Sequence, residues 1–116
     1  MQIQIASDLH IEYINQQINV EDFIKPVAPI LVLAGDIGSL YLYDQLHKFL
    51  SDLSKKFKYI LYIPGNHEFY IMNKVKPLSF RFLISRLYKL ENSIDNLYIL
   101  NKSSVIIEDI CFIGCT

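Results

Sequence analysis

Three apolar segments, each closed by glycine or polar residues, most constrain what this chain can fold into. They read MQIQIAS, PILVLAG and KYILYIPG. The first is β-branched and alternates in its first half, which predicts a strand over residues 2–7. The other two are continuous apolar runs bounded by proline or glycine, which is typical of strands buried on both faces of a sheet. The chain is therefore expected to build a sheet that other elements cover.

Two amphipathic segments and three short strands complete the pattern. Residues 40–56 and the segment from Pro77 onward carry apolar residues at helical spacing, which predicts two helices. The apolar positions are Leu42, Leu46, Phe49, Leu50, Leu53 and Phe57, followed by Phe80, Leu83, Ile84, Leu87 and Leu90. Short strands are predicted in NLYILN, SVIIED and CFIGCT. Strands that alternate with helices predict an α/β domain.

The composition favours one folded domain and argues against several classes of function. Hydrophobic residues make up 52% of the sequence and the net charge is −1, so we expect a packed core and no charge-driven binding to nucleic acid or to an anionic membrane. No apolar run is long enough to span a bilayer, and no signal peptide pattern opens the chain. Cys111 and Cys115 would lie too far apart along one strand to pair, which predicts core thiols in a cytoplasmic protein.

Polar side chains follow each of the first three predicted strands. Asp8 and His10 come after the first strand, Asp36 after the second, and Asn66 and His67 after the third. Because sites in such sheets lie beyond the carboxyl ends of the strands, we expect these residues to converge. Closely spaced carboxylates repel each other unless a cation pairs with them. Oxygen and imidazole ligands without thiolate suit Mn²⁺, Fe²⁺, Zn²⁺ or Ni²⁺.

Each of these residues also has a simpler interpretation. Asp8 can cap a turn, and His10 can be an ordinary loop histidine. Asp36 after Ala-Gly can close an Asx-turn, and Asn66-His67 can be turn residues. These interpretations must together explain polar clusters at three successive strand ends, which is why a shared metal site is favoured.

The motifs SDLH, LVLAGDIG and IPGNHEFY, in this order and each after a predicted strand, resemble the first three signature motifs of the calcineurin-like metallophosphoesterases. The resemblance extends over essentially all 116 residues. It implies a layered β-sandwich core flanked by helices, of which residues 1–116 would be the amino-terminal part, incomplete at the C-terminal end. The implied activity is metal-dependent hydrolysis of a phosphate mono- or diester substrate.

The resemblance also implies a role for each motif residue. Asp8 and His10 would hold a first divalent metal ion, Asp36 would bridge two metal ions, and Asn66 would bind the second through its side-chain oxygen. His67 would stand beside the metals as a general acid for the leaving alkoxide. Two such cations clamp the phosphoryl oxygens and acidify a shared water.

One departure from the family pattern affects the expected activity. Family members carry further histidines in Gly-His and Gly-His-x-His motifs, whereas this sequence has three histidines, His10, His47 and His67. We therefore expect at most one loosely held metal and weak or no hydrolysis by this chain alone. An incomplete sandwich would expose an apolar sheet, which predicts self-association or pairing with a missing C-terminal half. The alternatives are a non-catalytic binding or scaffold module of the same fold, and a split enzyme completed by a second chain.

Overall fold

The computed structural model describes residues 1–72 and 75–116, and it has the expected α/β architecture. Four parallel strands form one sheet in the order β1-β2-β3-β4. Two further strands, β5 and β6, form an antiparallel hairpin, and helices α1 and α2 flank the parallel sheet. The bounds are β1 Ile3–Ala6, β2 Ile30–Ala34, α1 Tyr43–Ser54, β3 Tyr59–Ile63, α2 Phe80–Ser93, β4 Leu97–Ile99, β5 Ser103–Ile107 and β6 Ile110–Gly114.

The two faces of the parallel sheet are covered differently, which gives a three-layered domain. On one face, alternate residues such as Leu31, Leu33 and Ile60 pack against apolar side chains of α1 and α2 in the larger core. On the other face, Ile30 and Leu61 pack with residues of the β5–β6 hairpin and the segment before it in a smaller core. The layers are therefore helices, parallel sheet and hairpin, as the resemblance implied.

The hairpin leaves part of the outer apolar surface exposed. Ile5 on the edge strand β1 is 70% exposed, and Ile106 and Ile113 on the hairpin are 71% and 80% exposed. Large exposed apolar side chains grouped on one side of a domain are typical of association surfaces. Self-association through this surface stays a prediction, which sedimentation at rising protein concentration would test.

Several local predictions require correction. The first predicted helix, 40–56, consists of a 3-10 turn at Leu40–Leu42 followed by α1, because the Ser39 side chain accepts a hydrogen bond from the Tyr41 amide and closes a tight turn there. The second helix begins at Phe80 rather than near Pro77, since Ser79 caps its amino terminus by accepting a bond from the Phe82 amide.

Two further observations concern the surface of the domain. Cys111 and Cys115 are free and exposed, so the prediction that they are core residues is wrong. Alternation along the hairpin turns the Cys111 side chain outward. Within residues 1–72 and 75–116, we find no helix with the length and hydropathy needed to cross a membrane.

Candidate metal centre

The loops that follow β1 and β2 are joined by backbone hydrogen bonds, and this brings three of the predicted site residues together. The Asp8 amide donates to the Gly35 carbonyl at 3.0 Å, and the His10 amide donates to the Asp36 carbonyl at 3.0 Å. Because β1 and β2 are parallel neighbours, their carboxyl ends lie at the same edge of the sheet. The loop bonds extend this pairing beyond the strands and fix the two loops against each other.

The same three residues share an uncommon backbone conformation. Asp8, His10 and Asp36 have φ angles of 58°, 49° and 56°, in the left-handed region that non-glycine residues rarely adopt. Such conformations cost free energy and cluster at functional sites, where the surrounding structure holds them in place. The strain accompanies a change of chain direction at the end of each strand, which turns these side chains toward a common volume.

The side chains of Asp8, His10 and Asp36 form a group whose donor set suits a divalent cation. Each offers one ligand atom, and these atoms all lie within 4.8 Å of one another. His10 Nε2 is 3.8 Å from Asp8 Oδ1. Two carboxylates this close repel each other, and an imidazole nitrogen beside them is a common transition-metal ligand. The arrangement therefore fits the metal that the sequence predicts at this edge of the sheet.

The predicted residues after β3 lie beside this group. The His67 amide donates to Asp36 Oδ1 at 2.9 Å, and the His67 ring meets the His10 ring edge to face with centroids 4.6 Å apart. Asn66 is exposed, and its Nδ2 donates to the Tyr70 hydroxyl at 2.7 Å. His67 thus joins the cluster directly. The ligand role of Asn66 stays a prediction, because its side chain bonds to Tyr70 rather than to the carboxylates.

A buried glutamate that sequence reasoning did not identify lies under the two histidines. Glu12 Oε1 accepts a hydrogen bond from His10 Nδ1 at 3.0 Å and lies 3.9 Å from His67 Nδ1. The hydrogen bond with Glu12 raises the pKa of His10 above its usual value. Because the Glu12 side chain is 2% exposed and that of Asp8 is 65% exposed, the cluster is closed on one side and open to solvent on the other.

Glu68 is the second buried carboxylate of the site, and it joins the loops after β2 and β3. No role is assigned to this residue from the sequence. It is fully buried, and its two oxygens accept hydrogen bonds from the amides of Asp36, Ile37 and Gly65 at 2.7 to 2.9 Å. A longer bond of 3.4 Å comes from the Gly38 amide. Glu68 therefore fixes the backbone on which Asp36 is carried.

Tyr62 at the end of β3 completes the surroundings of Glu68. Its hydroxyl donates to Glu68 Oε2 at 2.6 Å. Burial, followed by the nearby Glu68 carboxylate, raises the pKa of the Tyr62 phenol well above its usual value. The phenol consequently remains protonated and keeps its role as a donor over the ordinary pH range.

Gly65 allows the loops after β2 and β3 to approach each other closely. A Cβ added there would lie 2.8 Å from the Asp36 backbone nitrogen and closer still to Asp36 Oδ1. A side chain at position 65 would therefore displace the predicted bridging carboxylate. The sequence signal for this contact is the glycine directly after Pro64 at the end of the strand, because glycine lets two backbone segments approach closely.

Comparison with known proteins identifies the family. A family model described as calcineurin-like phosphoesterase matches residues 1–113, and the chain belongs to this family. An uncharacterized protein of Acanthamoeba polyphaga mimivirus is 34% identical over 122 residues, covering 98% of this chain and 43% of that protein. The family resemblance seen in the three motifs is thereby confirmed.

A solved structure shares the fold. The crystal structure of phosphopantetheinyl hydrolase (PptH) from Mycobacterium tuberculosis matches with a TM-score of 0.70 and 21% identity, over 91% of this chain and 37% of that chain. At this identity the match supports the architecture rather than a particular substrate. The chain spans less than half the length of both relatives.

Proposed function

We propose that this chain carries the amino-terminal part of a metal-dependent phosphoester hydrolase site. The observation that supports the proposal most directly is the placement of ligand atoms from Asp8, His10 and Asp36 within 4.8 Å of one another at the carboxyl edge of the sheet. Membership of the calcineurin-like phosphoesterase family supports a phosphoester as substrate. We propose a phosphate mono- or diester, and the name of the solved relative, a phosphopantetheinyl hydrolase, is compatible with this class.

In this proposal each residue has a separate task. Asp8, His10 and Asp36 hold a first divalent cation, and Asp36 with the Asn66 oxygen would contribute to a second. Divalent cations bound there would supply Lewis acidity toward the phosphoryl oxygens and lower the pKa of a water molecule. His67 turns Nδ1 toward Glu12, with 3.9 Å between His67 Nδ1 and Glu12 Oε1. Its Nε2 is then the atom that delivers a proton to the leaving alkoxide.

The proposal predicts different occupancy for the two cation positions. The first position has three protein ligands from this chain, whereas the second has Asp36 and Asn66. The sequence contains no histidine after His67 that could add an imidazole to either position. We expect one cation to bind per chain with modest affinity. Mn²⁺, Fe²⁺, Zn²⁺ and Ni²⁺ all suit such ligands, and titration with each would rank them.

Calorimetric titration of Mn²⁺ into the purified chain tests the metal site. We expect about one equivalent to bind, and Asp36→Asn to abolish detectable binding, because the amide lacks the charge that pairs with the cation. An asparagine can still accept the His67 amide bond, so the fold should be retained. Glu108→Gln, which removes an exposed carboxylate on the hairpin turn, serves as the control. Unchanged Mn²⁺ binding by Asp36→Asn would contradict the assignment.

Hydrolysis of p-nitrophenyl phosphate and bis(p-nitrophenyl) phosphate tests the reaction. If the chain turns over either ester, His67→Ala should lower kcat by about 10²–10⁴-fold and leave Mn²⁺ affinity within a few-fold, because His67 donates a proton and is not a ligand. Loss of Mn²⁺ binding in His67→Ala would instead make His67 a ligand. The ratio of the two rates would show whether monoesters or diesters are preferred.

A second candidate function is a non-catalytic binding module that retains the metallophosphoesterase fold. It is favoured by the Asn66 side chain, whose Nδ2 donates to the Tyr70 hydroxyl at 2.7 Å, a contact that involves no predicted metal ligand other than Asn66 itself. Mn²⁺ binding without hydrolysis of either ester would support it. Hydrolysis restored by mixing with a second chain that carries the family's later histidine motifs would support a split enzyme instead. A cytoplasmic location belongs to the proposal and is supported by the two free cysteines.

A further inference from the structure

Glu12 is a buried carboxylate of the site to which the three family motifs assign no role. Its side chain is 2% exposed, and it lies in the 3-10 turn Ile11–Tyr13 that directly follows His10. Oε1 accepts the bond from His10 Nδ1 at 3.0 Å and faces His67 Nδ1 at 3.9 Å. The other oxygen, Oε2, is buried and has no hydrogen-bond partner among the residues that the structure describes.

This placement is unfavourable for stability alone. A buried carboxylate is costly unless its acceptors are paired. Among residues 1–72 and 75–116, one oxygen of Glu12 accepts a bond from His10 and the other has no donor. Residues that are kept in a poorly compensated state are typical of functional sites, where stability is given up for activity. The contacts of Glu12 with the two histidines therefore indicate its role.

We propose that Glu12 is a positioning residue that holds the proton of His10 on Nδ1 and directs the Nδ1 side of His67 inward, so that both rings present Nε2 to the phosphoester site. A neutral imidazole that donates from one nitrogen offers the lone pair of the other, and such outer partners fix the tautomer and orientation of metal-ligating histidines. The geometry agrees with this role of Glu12, because His10 Nε2 is the ring nitrogen that lies near Asp8, the other predicted ligand of the first cation. This inference rests on the proposed function of the site.

For His67 the effect of Glu12 is one of orientation. A distance of 3.9 Å from Nδ1 to Oε1 is longer than a hydrogen bond, so the attraction is electrostatic at this separation. The His67 ring also contacts the Tyr70 ring, with centroids 4.3 Å apart. Glu12 consequently determines which nitrogen faces the interior, and catalytic contacts of this kind often shorten when the site is loaded.

An alternative is that Glu12 is itself a metal ligand. His10, Glu12 and His67 also form a group with ligand atoms within 4.8 Å of one another. The 3.0 Å contact between Glu12 and His10 Nδ1 argues for a hydrogen bond instead. A cation at that position would take the His10 nitrogen that faces away from Asp8. The experiments below separate the two arrangements through the number of metal ions bound.

Nitrogen-15 NMR of the histidine rings in the metal-free chain gives a readout that does not depend on activity. At a pH where the His10 ring is neutral, we expect it to carry its proton on Nδ1 in the wild type. Glu12→Met, which keeps an unbranched side chain and removes the acceptor, should move the His10 population toward the Nε2–H tautomer. Glu12→Gln should show a smaller change, because its amide oxygen can still accept from Nδ1. Glu108→Gln should match the wild type.

Metal titration then tests the consequence for the ligand. We expect Glu12→Met to weaken Mn²⁺ binding by about 10–100-fold at unchanged stoichiometry, which is the usual cost of removing such an outer partner. Glu12→Gln should lie between Glu12→Met and the wild type. In a His10→Ala background, Glu12→Met should have no further effect on affinity, because Glu12 acts on the metal through His10.

Three outcomes would overturn the inference. One is an unchanged His10 tautomer in both Glu12 variants, and another is unchanged Mn²⁺ affinity in both. The third is the loss of one whole equivalent of metal, which would make Glu12 a ligand. If the wild type binds no Mn²⁺, the proposed function fails, and the tautomer measurement still decides whether Glu12 positions His10. If Glu12→Met does not fold, Glu12→Gln supplies the same readouts.

Discussion

Two buried glutamates, Glu68 and Glu12, lie beside the candidate metal centre, and their oxygens differ in how they are hydrogen-bonded. Both oxygens of Glu68 accept hydrogen bonds, from backbone amides and from the Tyr62 hydroxyl. Glu12 bonds to one histidine, and its Oε2 has no partner among the described residues. The first carboxylate is fully compensated and the second is not. The difference indicates that Glu68 builds the site whereas Glu12 adjusts its chemistry.

The positions of the two glutamates in the chain explain this division. Glu68 follows β3, and its side chain reaches the amides of the loop after β2, so it connects two neighbouring loops. Glu12 follows β1, and within the described part of the chain its carboxylate contacts histidine side chains. Loss of a backbone connector should change folding stability, whereas loss of a side-chain contact should change metal binding. The predictions below test this comparison in order of decreasing effect on stability.

Glu68→Ala should give the largest destabilisation. It would leave several buried amides and the Tyr62 hydroxyl without an acceptor, and each buried unpaired donor costs about 1–3 kcal/mol. We expect a loss of at least about 3 kcal/mol in the free energy of unfolding, measured by urea denaturation. A loss below about 0.5 kcal/mol, the usual range for a surface substitution, would contradict a structural role for Glu68.

Tyr62→Phe should have the next largest effect, because it removes one hydrogen bond to a buried charge. Such bonds contribute about 1.5–3 kcal/mol, and phenylalanine otherwise fills the same space. Urea denaturation at neutral pH measures the difference from the wild type. An unchanged midpoint would mean that the hydroxyl contributes nothing to holding Glu68.

The pH dependence of the same variant gives an independent check. Because burial raises the pKa of the Tyr62 phenol above its usual value of about 10, the unfolded chain releases this proton at a lower pH than the folded protein does. The contribution to stability is therefore present below pH 10 and is lost as the pH rises beyond it. The wild type should lose stability more steeply than Tyr62→Phe in that range, and parallel curves would contradict the pKa shift.

Gly65→Ala should destabilise by about 1–3 kcal/mol, the usual cost of forcing atoms into a packed region. The new methyl group would press on the Asp36 backbone and carboxylate. Thermal unfolding gives the stability change, and Mn²⁺ titration should show weaker binding because Asp36 is displaced. Gly38→Ala is a useful comparison, since its Cβ would meet the side chains of Ile11 and Leu46 rather than backbone. Equal Mn²⁺ affinity in both variants would contradict a specific effect on Asp36.

Glu12→Gln should have the smallest effect on stability, within about 0.5 kcal/mol of the wild type or slightly stabilising, because a neutral amide is less costly to bury than a partly paired carboxylate. The same variant should nevertheless weaken Mn²⁺ binding. A stability loss comparable to that of Glu68→Ala would remove the distinction between the two glutamates.

Much of the fold and part of the candidate site could be predicted from local patterns. The strands β1 to β3 lie within the predicted apolar runs, because continuous apolar segments bounded by glycine or proline have few other stable arrangements. Asp8, His10 and Asp36 could be grouped because parallel neighbours end at the same edge. The helix boundaries could not be located as well, since Ser39 and Ser79 determine them through specific hydrogen bonds.

Glu12 and Glu68 show why the rest of the candidate site could not be predicted from the sequence. In the sequence, Glu12 and Glu68 are polar residues in loop segments, where exposure is the ordinary expectation. Their burial depends on how loops after three different strands pack together. No short-range pattern encodes that packing, because the loops that pack together are distant in the sequence. Glu68 and Ile37, for example, are separated by 31 positions.

The amino-acid sequence by itself determined the α/β class, the family and the residue types gathered at the strand ends, because periodicity and motif order are local properties. Only the tertiary structure decided which buried carboxylates have hydrogen-bond donors for both oxygens, and which ring nitrogen of His10 and of His67 faces Glu12. These features depend on the distances between loops that follow different strands. Only the folded sheet brings those loops within hydrogen-bonding distance, about 3 Å.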